Sequence, residues 1–168
     1  MVDVLIDPVR ASRDGHQFHE AWVARCALGL LLSRNELYAI AVEGLSEQDE
    51  KGVSGGTVEV ADATFYFGSD ASLEACSRVE IAQFKYSIAN QNRALRMADA
   101  RETLAKFAAA EAGFTAKRGA GEVSAKLRYS LNTNRPLSDG LLKAPPIIRV
   151  HLVAVLPPST SRAVEVRR

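Results

Sequence analysis

Cysteine is scarce in this chain: Cys26 and Cys76 are the only two among 168 residues. Their spacing supplies neither a metal-ligand pattern nor a disulfide framework. Both read as ordinary reduced thiols, with Cys26 in the core. No run of about 18 apolar residues occurs, so no transmembrane helix is expected. The apolar stretch from Ala24 to Leu32 is broken by Arg25. Met1 leads into Val-Asp-Val-Leu-Ile-Asp, which lacks the basic start and small-residue cleavage site of a signal peptide. These absences predict a cytoplasmic protein with no membrane partner. Internal repeats are missing too. Nor does one charge dominate, since the formal net charge is +1.

What is present suits one domain with a real core. The chain is 47% hydrophobic and 24% charged, as in an ordinary globular protein. Its charge is unevenly spread. Residues 1–80 carry 6 basic and 14 acidic side chains, and residues 81–168 carry 15 and 6. A basic half suits phosphates and an acidic half suits a cation, although a cut in sequence need not be a division in space.

Residues 1–12 read as a lead-in. Asp14, with Gln17 three residues on, resembles a capping box and predicts a helix start. Phe18, Trp22, Cys26 and Leu30, with Val23, Ala27 and Leu31, recur at helical spacing. A helix is therefore expected from Gly15 to about Ser33. Leu37 to Val42 predicts a buried strand. Glu47 to Gly52 and Ser54-Gly55-Gly56 read as a flexible loop and hinge. Thr57 to Phe67 is β-rich, Gly68-Ser69-Asp70 breaks it, and Arg78 to Tyr86 predicts the next strand. A second long helix is expected from Asn92 to about Ala112, stopped by Gly113, with a loop from Phe114 to Gly121. Ala125 to Leu131 predicts a strand, and Asn132 to Pro136 carries turn chemistry. Ser138 is placed to cap a short helix ending at Lys143. The apolar run Ile147 to Leu156 predicts a last strand before a loose Pro- and Ser-rich end. Helix, three strands, helix and strand in that order predict an α/β fold with one mixed sheet between helices.

Chemistry concentrates on two strands. Side chains alternate faces, so Gln83 and Lys85 project from one face, and Phe84 and Tyr86 from the other. Asp62 lies on the preceding strand. An acid there, with an amide and a lysine two apart on the next strand, suits metal-assisted phosphodiester cleavage. A cation held by carboxylate and amide oxygens neutralises developing charge, and an ammonium polarises the attacking water. Asp62 is the expected central ligand, Gln83 a neutral one with the Ala82 carbonyl beside it, and Lys85 the water-polarising group. Glu20 or Glu43 is placed to complete the set. Glu59, three before Asp62, falls on the opposite face by parity. His16, His19 and Glu20 match neither His-Glu-X-X-His nor its inverse, so zinc is not expected. His19 is expected to pack near the site, and Trp22 in the core. Arg93, Arg96, Lys117 and Arg118 are candidate phosphate contacts, the alternative being a solvated helix face and loop. Asn134 and Arg135 either touch phosphate or brace the site.

This arrangement resembles the PD-(D/E)XK, or restriction-endonuclease-like, nucleases. Asp62 matches their acid, Gln83-Phe84-Lys85 matches the glutamine variant of their second motif, and Glu20 matches the acid often found on the first helix. A narrower resemblance, over residues 13–142, is to the N-terminal endonuclease domains of bacterial anti-phage effectors. It is carried by Arg13-Asp14-Gly15 with Phe18-His19 and Trp22, by Ala41-Val42-Glu43-Gly44, and by Glu59 with Asp62. It continues through Gln83-Phe84-Lys85-Tyr86-Ser87 and Thr133-Asn134-Arg135-Pro136.

The resemblance implies a restriction-endonuclease-like αβββαβ core over residues 13–143, with a mixed central sheet flanked by helices. Residues 144–168 are then a tail, truncated or a linker. It implies a Mg2+-dependent endonuclease (Mn2+ as substitute) acting on double-stranded DNA in phage defence, with Asp62, Gln83 and Glu20 as metal ligands. It further implies a downstream sensor or NTPase domain, or a separate partner protein, and a homodimer. Gln83 in place of an acid removes one negative charge, which leaves the number of metals open. Two rivals stand beside this reading. One is a non-catalytic nucleic-acid-binding or assembly domain that keeps the nuclease fold. The other is an interaction module with an unrelated α/β fold. Whether Asp62, Gln83 and Lys85 converge separates them.

Overall fold

The computed structural model describes residues 8–32, 36–51, 61–143 and 150–154. Helix α1 (Pro8–Ala27) runs into a 3-10 turn at Leu28–Leu31 and then strand β1 (Leu37–Val42). A single turn, α2 (Glu47–Glu50), precedes β2 (Ala63–Phe67) and β3 (Arg78–Lys85). Helices α3 (Met97–Arg118) and α4 (Ala120–Lys126) lead to β4 (Leu127–Thr133), the short α5 (Asp139–Leu142) and β5 (Val150–Ala154). The five strands form one sheet in chain order. β1 pairs antiparallel with β2 and β2 with β3, whereas β3, β4 and β5 run parallel. A parallel neighbour requires a crossover, and α3 with α4 supplies it between β3 and β4. The protein is thus mixed α/β, with a mixed sheet flanked by helices. No helix among the described residues is long and apolar enough to cross a membrane.

Strand parity assigns the two faces. On one, Leu37, Ala63, Phe65, Ala82 and Phe84 pack with Phe18, Trp22, Val23 and Cys26 of α1. These four α1 residues lie on the stripe that the sequence period marks. On the other, Tyr66, Val79, Ile81, Tyr129 and Leu131 meet Ala100, Phe107, Ala110 and Phe114 of α3. The buried α3 positions recur every three or four residues, as one helix face must. The Phe107 and Tyr129 rings lie 4.8 Å apart between helix and sheet.

Several sequence expectations need correction. The first helix begins at Pro8, not near Asp14, so part of the lead-in is helical. Proline suits a first helical position because its missing N–H would have no intrahelical partner there. Gly113 does not stop the second helix, which runs to Arg118. A helical glycine costs only about 1 kcal/mol relative to alanine, and buried Ala110 and Phe114 flank it. The break falls at Gly119, whose φ of 84° suits glycine. Residues expected as loop there are largely helical. The fifth strand lies in the segment assigned to the tail, so the fold extends beyond residue 143. Ser138 caps α5 as expected, its hydroxyl accepting the Leu141 N–H at 3.3 Å. Glu59 and Ser54-Gly55-Gly56 lie outside the described residues.

The segment after β1 also differs from a flexible loop. Ser46 caps α2, and Asp49 turns inward, 5% exposed. Both Asp49 carboxylate oxygens accept the Leu73 N–H at 3.1 Å. The Tyr66 hydroxyl accepts the Ser46 N–H at 2.9 Å. Burial raises the Asp49 carboxyl above its ordinary 3.8, against the lowering effect of the Leu73 amide. The native state therefore holds this proton more tightly than the unfolded chain. That contribution to stability is full below the unfolded value and is lost as pH rises through the folded one. Asp49→Asn is expected to remove this part of the pH dependence as pH rises from the ordinary carboxylate value toward neutrality. Urea denaturation across that range checks it, and an unchanged slope contradicts it.

Candidate active site

Asp62 occupies the position just before β2. The β2–β3 register pairs Ala63 with Ala82, so Asp62 stands opposite Gln83. The β1–β2 register pairs Val42 with Ala63, which puts Glu43 on the other side of Asp62. The Glu43 N–H donates to the Asp62 carbonyl at 2.9 Å, and the Asp62 N–H donates to the Ala82 carbonyl at 3.0 Å. Glu43, Asp62 and Gln83 therefore form one row across three strands. Their residue types were legible in the sequence; the row was not.

The acid is tied to the strand beside it. Asp62 Oδ2 accepts the Phe84 N–H at 2.6 Å, and both Asp62 oxygens lie 3.2 Å from Gln83 Nε2. Bonds to an ionised acceptor are short and strong. Gln83 points its amide nitrogen at the acid here. A half-turn of the amide would present its oxygen instead. Asp62 and Gln83 would then offer hard oxygen donors at one point, which suits Mg2+ better than a soft metal. Among the described residues no three His, Cys, Asp or Glu side chains are grouped to hold an ion. The donors here are one carboxylate and one amide, with the Glu43 carboxyl next in the row.

Glu43 is exposed and has a φ of 56°, in the left-handed region. A non-glycine residue there costs about 1 kcal/mol, and such strain tends to collect at functional sites. The next carbonyl, of Gly44, accepts the Thr64 hydroxyl at 2.6 Å and holds the turn.

Lys85 is half-buried. Parity puts it on the α3 face with Ile81 and Gln83, and it makes no salt bridge with Asp62. Its charge is felt on α3. The hydrogen bond and charge of Lys106, and then the charge of Lys85, hold the Glu102 carboxyl below its ordinary 4.5. Glu102 and Lys106 form a salt bridge of 3.1 Å. Sequence reading missed Glu102; its signal was the parity that sends Lys85 toward α3. It also missed Thr133, whose hydroxyl donates to the Lys85 carbonyl at 2.7 Å and accepts the Arg135 N–H at 3.1 Å.

Other candidates divide. Glu20 is exposed on α1, and no hydrogen bond or ion pair among the described residues joins it to Asp62 or Gln83. His19 packs on Phe84 with ring centroids 5.0 Å apart, which puts it on the α1 face of the sheet, opposite the face of Gln83 and Lys85. Phe18 stacks on Tyr86 at 4.7 Å.

Arg93 and Arg96 are exposed between the end of β3 and the start of α3. Lys117 and Arg118 lie at the far end of that 22-residue helix, about 33 Å along its axis. Arg118 is held there by Glu74 at 2.7 Å.

Asn134 and Arg135 are braces rather than free phosphate contacts. Asn134 Oδ1 accepts the Ser87 N–H at 3.0 Å, and its Nδ2 donates to the Ser87 carbonyl at 3.2 Å. Arg135 donates to the Arg93 carbonyl at 2.9 Å, the Ala94 carbonyl at 3.0 Å and Asp99 at 2.8 Å. Both are less than a tenth exposed.

Asp62 and Gln83 therefore meet side by side, with Lys85 two residues on along the same face of β3 and Glu43 next in the row. Neither the models of protein families nor the curated proteins compared with this chain gave a match.

Proposed function

We propose that this chain is a metal-dependent endodeoxyribonuclease domain with a restriction-endonuclease-like core. One observation carries the reading: Asp62 stands opposite Gln83, with Lys85 two residues on along the same face. The element order and the switch from antiparallel to parallel pairing at β3 support the same fold family. Asp62 and Gln83 would hold Mg2+, with Glu43 nearest to join them. The ion would offset charge developing on the phosphate oxygens. Lys85 would orient the attacking water and stabilise the charged transition state. A role in phage defence, gated by a sensor or NTPase partner, rests on the sequence resemblance alone.

A second reading has its own support. Asp62 already has hydrogen-bond donors in Gln83 and the Phe84 amide. A carboxylate so satisfied also suits a nucleic-acid-binding domain that has lost catalysis.

Gln83→Glu separates the two. An added carboxylate beside Asp62 should repel it without metal and bind Mg2+ about tenfold more tightly. Calorimetric titration of Mg2+ into both proteins, with melting curves in EDTA, makes the test. Equal affinity and equal melting would remove the ion from this site.

A further inference from the structure

Residues 86–96 join β3 to α3 and contain no helix or strand. Connections of this length without regular structure are commonly mobile or functional. This one is fastened along its length. Asn134 grips Ser87 through both N–H and carbonyl. The Ser87 hydroxyl accepts the Asn90 N–H at 3.2 Å, and the Asn90 carbonyl accepts the Arg93 N–H at 2.9 Å. Arg135 takes the next two carbonyls, of Arg93 and Ala94. The Leu95 N–H then donates to the Pro136 carbonyl at 2.7 Å.

This fixed segment turns both an apolar and two basic side chains outward. Ile88 is 40% exposed. The guanidinium groups of Arg93 and Arg96 are exposed and form no salt bridge among the described residues. Asp99, the nearby acid, is already engaged by Arg135 and by the Arg96 N–H at 3.1 Å. Positive charge is therefore left facing solvent, one element from Lys85.

We propose that residues 86–96 form a pre-set docking element for duplex nucleic acid, with Arg93 and Arg96 on backbone phosphates and Ile88 against the sugars of the minor groove. Arginines and an exposed aliphatic side chain on one short segment suit minor-groove contact, and phosphate contacts fix register without reading sequence. The proposal rests on the nuclease reading for where the scissile phosphate sits, but its test does not require cleavage.

The full chain is titrated in EDTA against a fluorescent 20-base-pair DNA duplex over a salt series, by anisotropy. Arg93→Ala and Arg96→Ala should each reduce the slope of log affinity against log salt by about 1. Ile88→Ala should weaken binding about fivefold at every salt with the slope unchanged. Lys117→Ala, at the far end of α3, should match the wild type. An unaltered slope in the Arg93/Arg96 double variant overturns the proposal. So does an equal loss in Lys117→Ala, or tighter binding to a single strand of the same length. Binding as expected without cleavage in Mg2+ would keep the docking element and retire the nuclease reading.

Discussion

Asp62→Asn is expected to lower DNA cleavage at least about a thousandfold while the fold survives. The two halves of that expectation have separate causes. Asparagine keeps the size of the side chain and one oxygen, so it can still accept the Phe84 N–H that Asp62 accepts at 2.6 Å. Its amide nitrogen would face Gln83, which can answer by turning its own oxygen inward. The structural cost is then about one hydrogen bond, roughly 1 kcal/mol. What is lost is negative charge at the centre of the Glu43–Asp62–Gln83 row. Gln83 is neutral, so no carboxylate stands opposite Asp62 on β3 to compensate. Single-turnover cleavage at saturating Mg2+, with a melting curve on the same sample, measures both halves. Activity within tenfold of the wild type would mean that Asp62 is structural.

Arg135→Ala is expected to destabilise the protein by about 3 kcal/mol, because it removes three part-buried hydrogen bonds at about 1 kcal/mol each. For a chain of this size that is a fall in Tm of roughly 10 °C. The guanidinium is 8% exposed and closes three contacts, two of them to backbone carbonyls that nothing else satisfies among the described residues. Lysine should not rescue it, since one ammonium cannot replace a planar fork spanning two carbonyls and an acid.

A pH signature accompanies the loss. The Arg96 N–H first, and then Arg135, lower the Asp99 carboxyl from its ordinary 3.8. The stability linked to Asp99 is present above the unfolded value and is lost as pH falls through the folded one. Arg135→Ala should shrink that acid-side loss. Urea denaturation at neutral and acid pH measures both effects, and a near-unchanged midpoint would contradict the bracing role.

The sequence could be read where one period or one cap decides. The stripe Phe18, Trp22, Cys26 marked the buried side of α1, and alternation put Gln83 with Lys85 on one face, which packing shows to be that of α3. Leu37 to Val42 is strand β1 as expected, but at the edge of the sheet it is not the buried strand the apolar run predicts: Leu37 is its one buried residue, and Tyr38 and Val42 are exposed. Position along long elements was less legible. Gly113 looks like a stop, but packing on both sides of it outweighs one residue's propensity, and Gly119 ends the helix instead. Asp49 looks like a loop acid. Only the approach of the Leu73 backbone, 24 residues on, gives it a buried role. Asn134 and Arg135 carry phosphate-binding chemistry in their side chains, but sequence cannot show that backbone carbonyls and amides have already claimed it. Lys117 and Arg118 share a helix with Arg96, yet helix length puts them at its other end.

The most direct test is incubation of supercoiled plasmid with the purified wild-type chain in Mg2+, with EDTA and Lys85→Met as parallel samples. The nuclease reading predicts nicked or linear DNA in Mg2+ alone, with supercoiled DNA intact in the other two. Intact plasmid in all three, under conditions where the chain binds both Mg2+ and duplex DNA, would contradict it. The same row of residues would then belong to a binding domain.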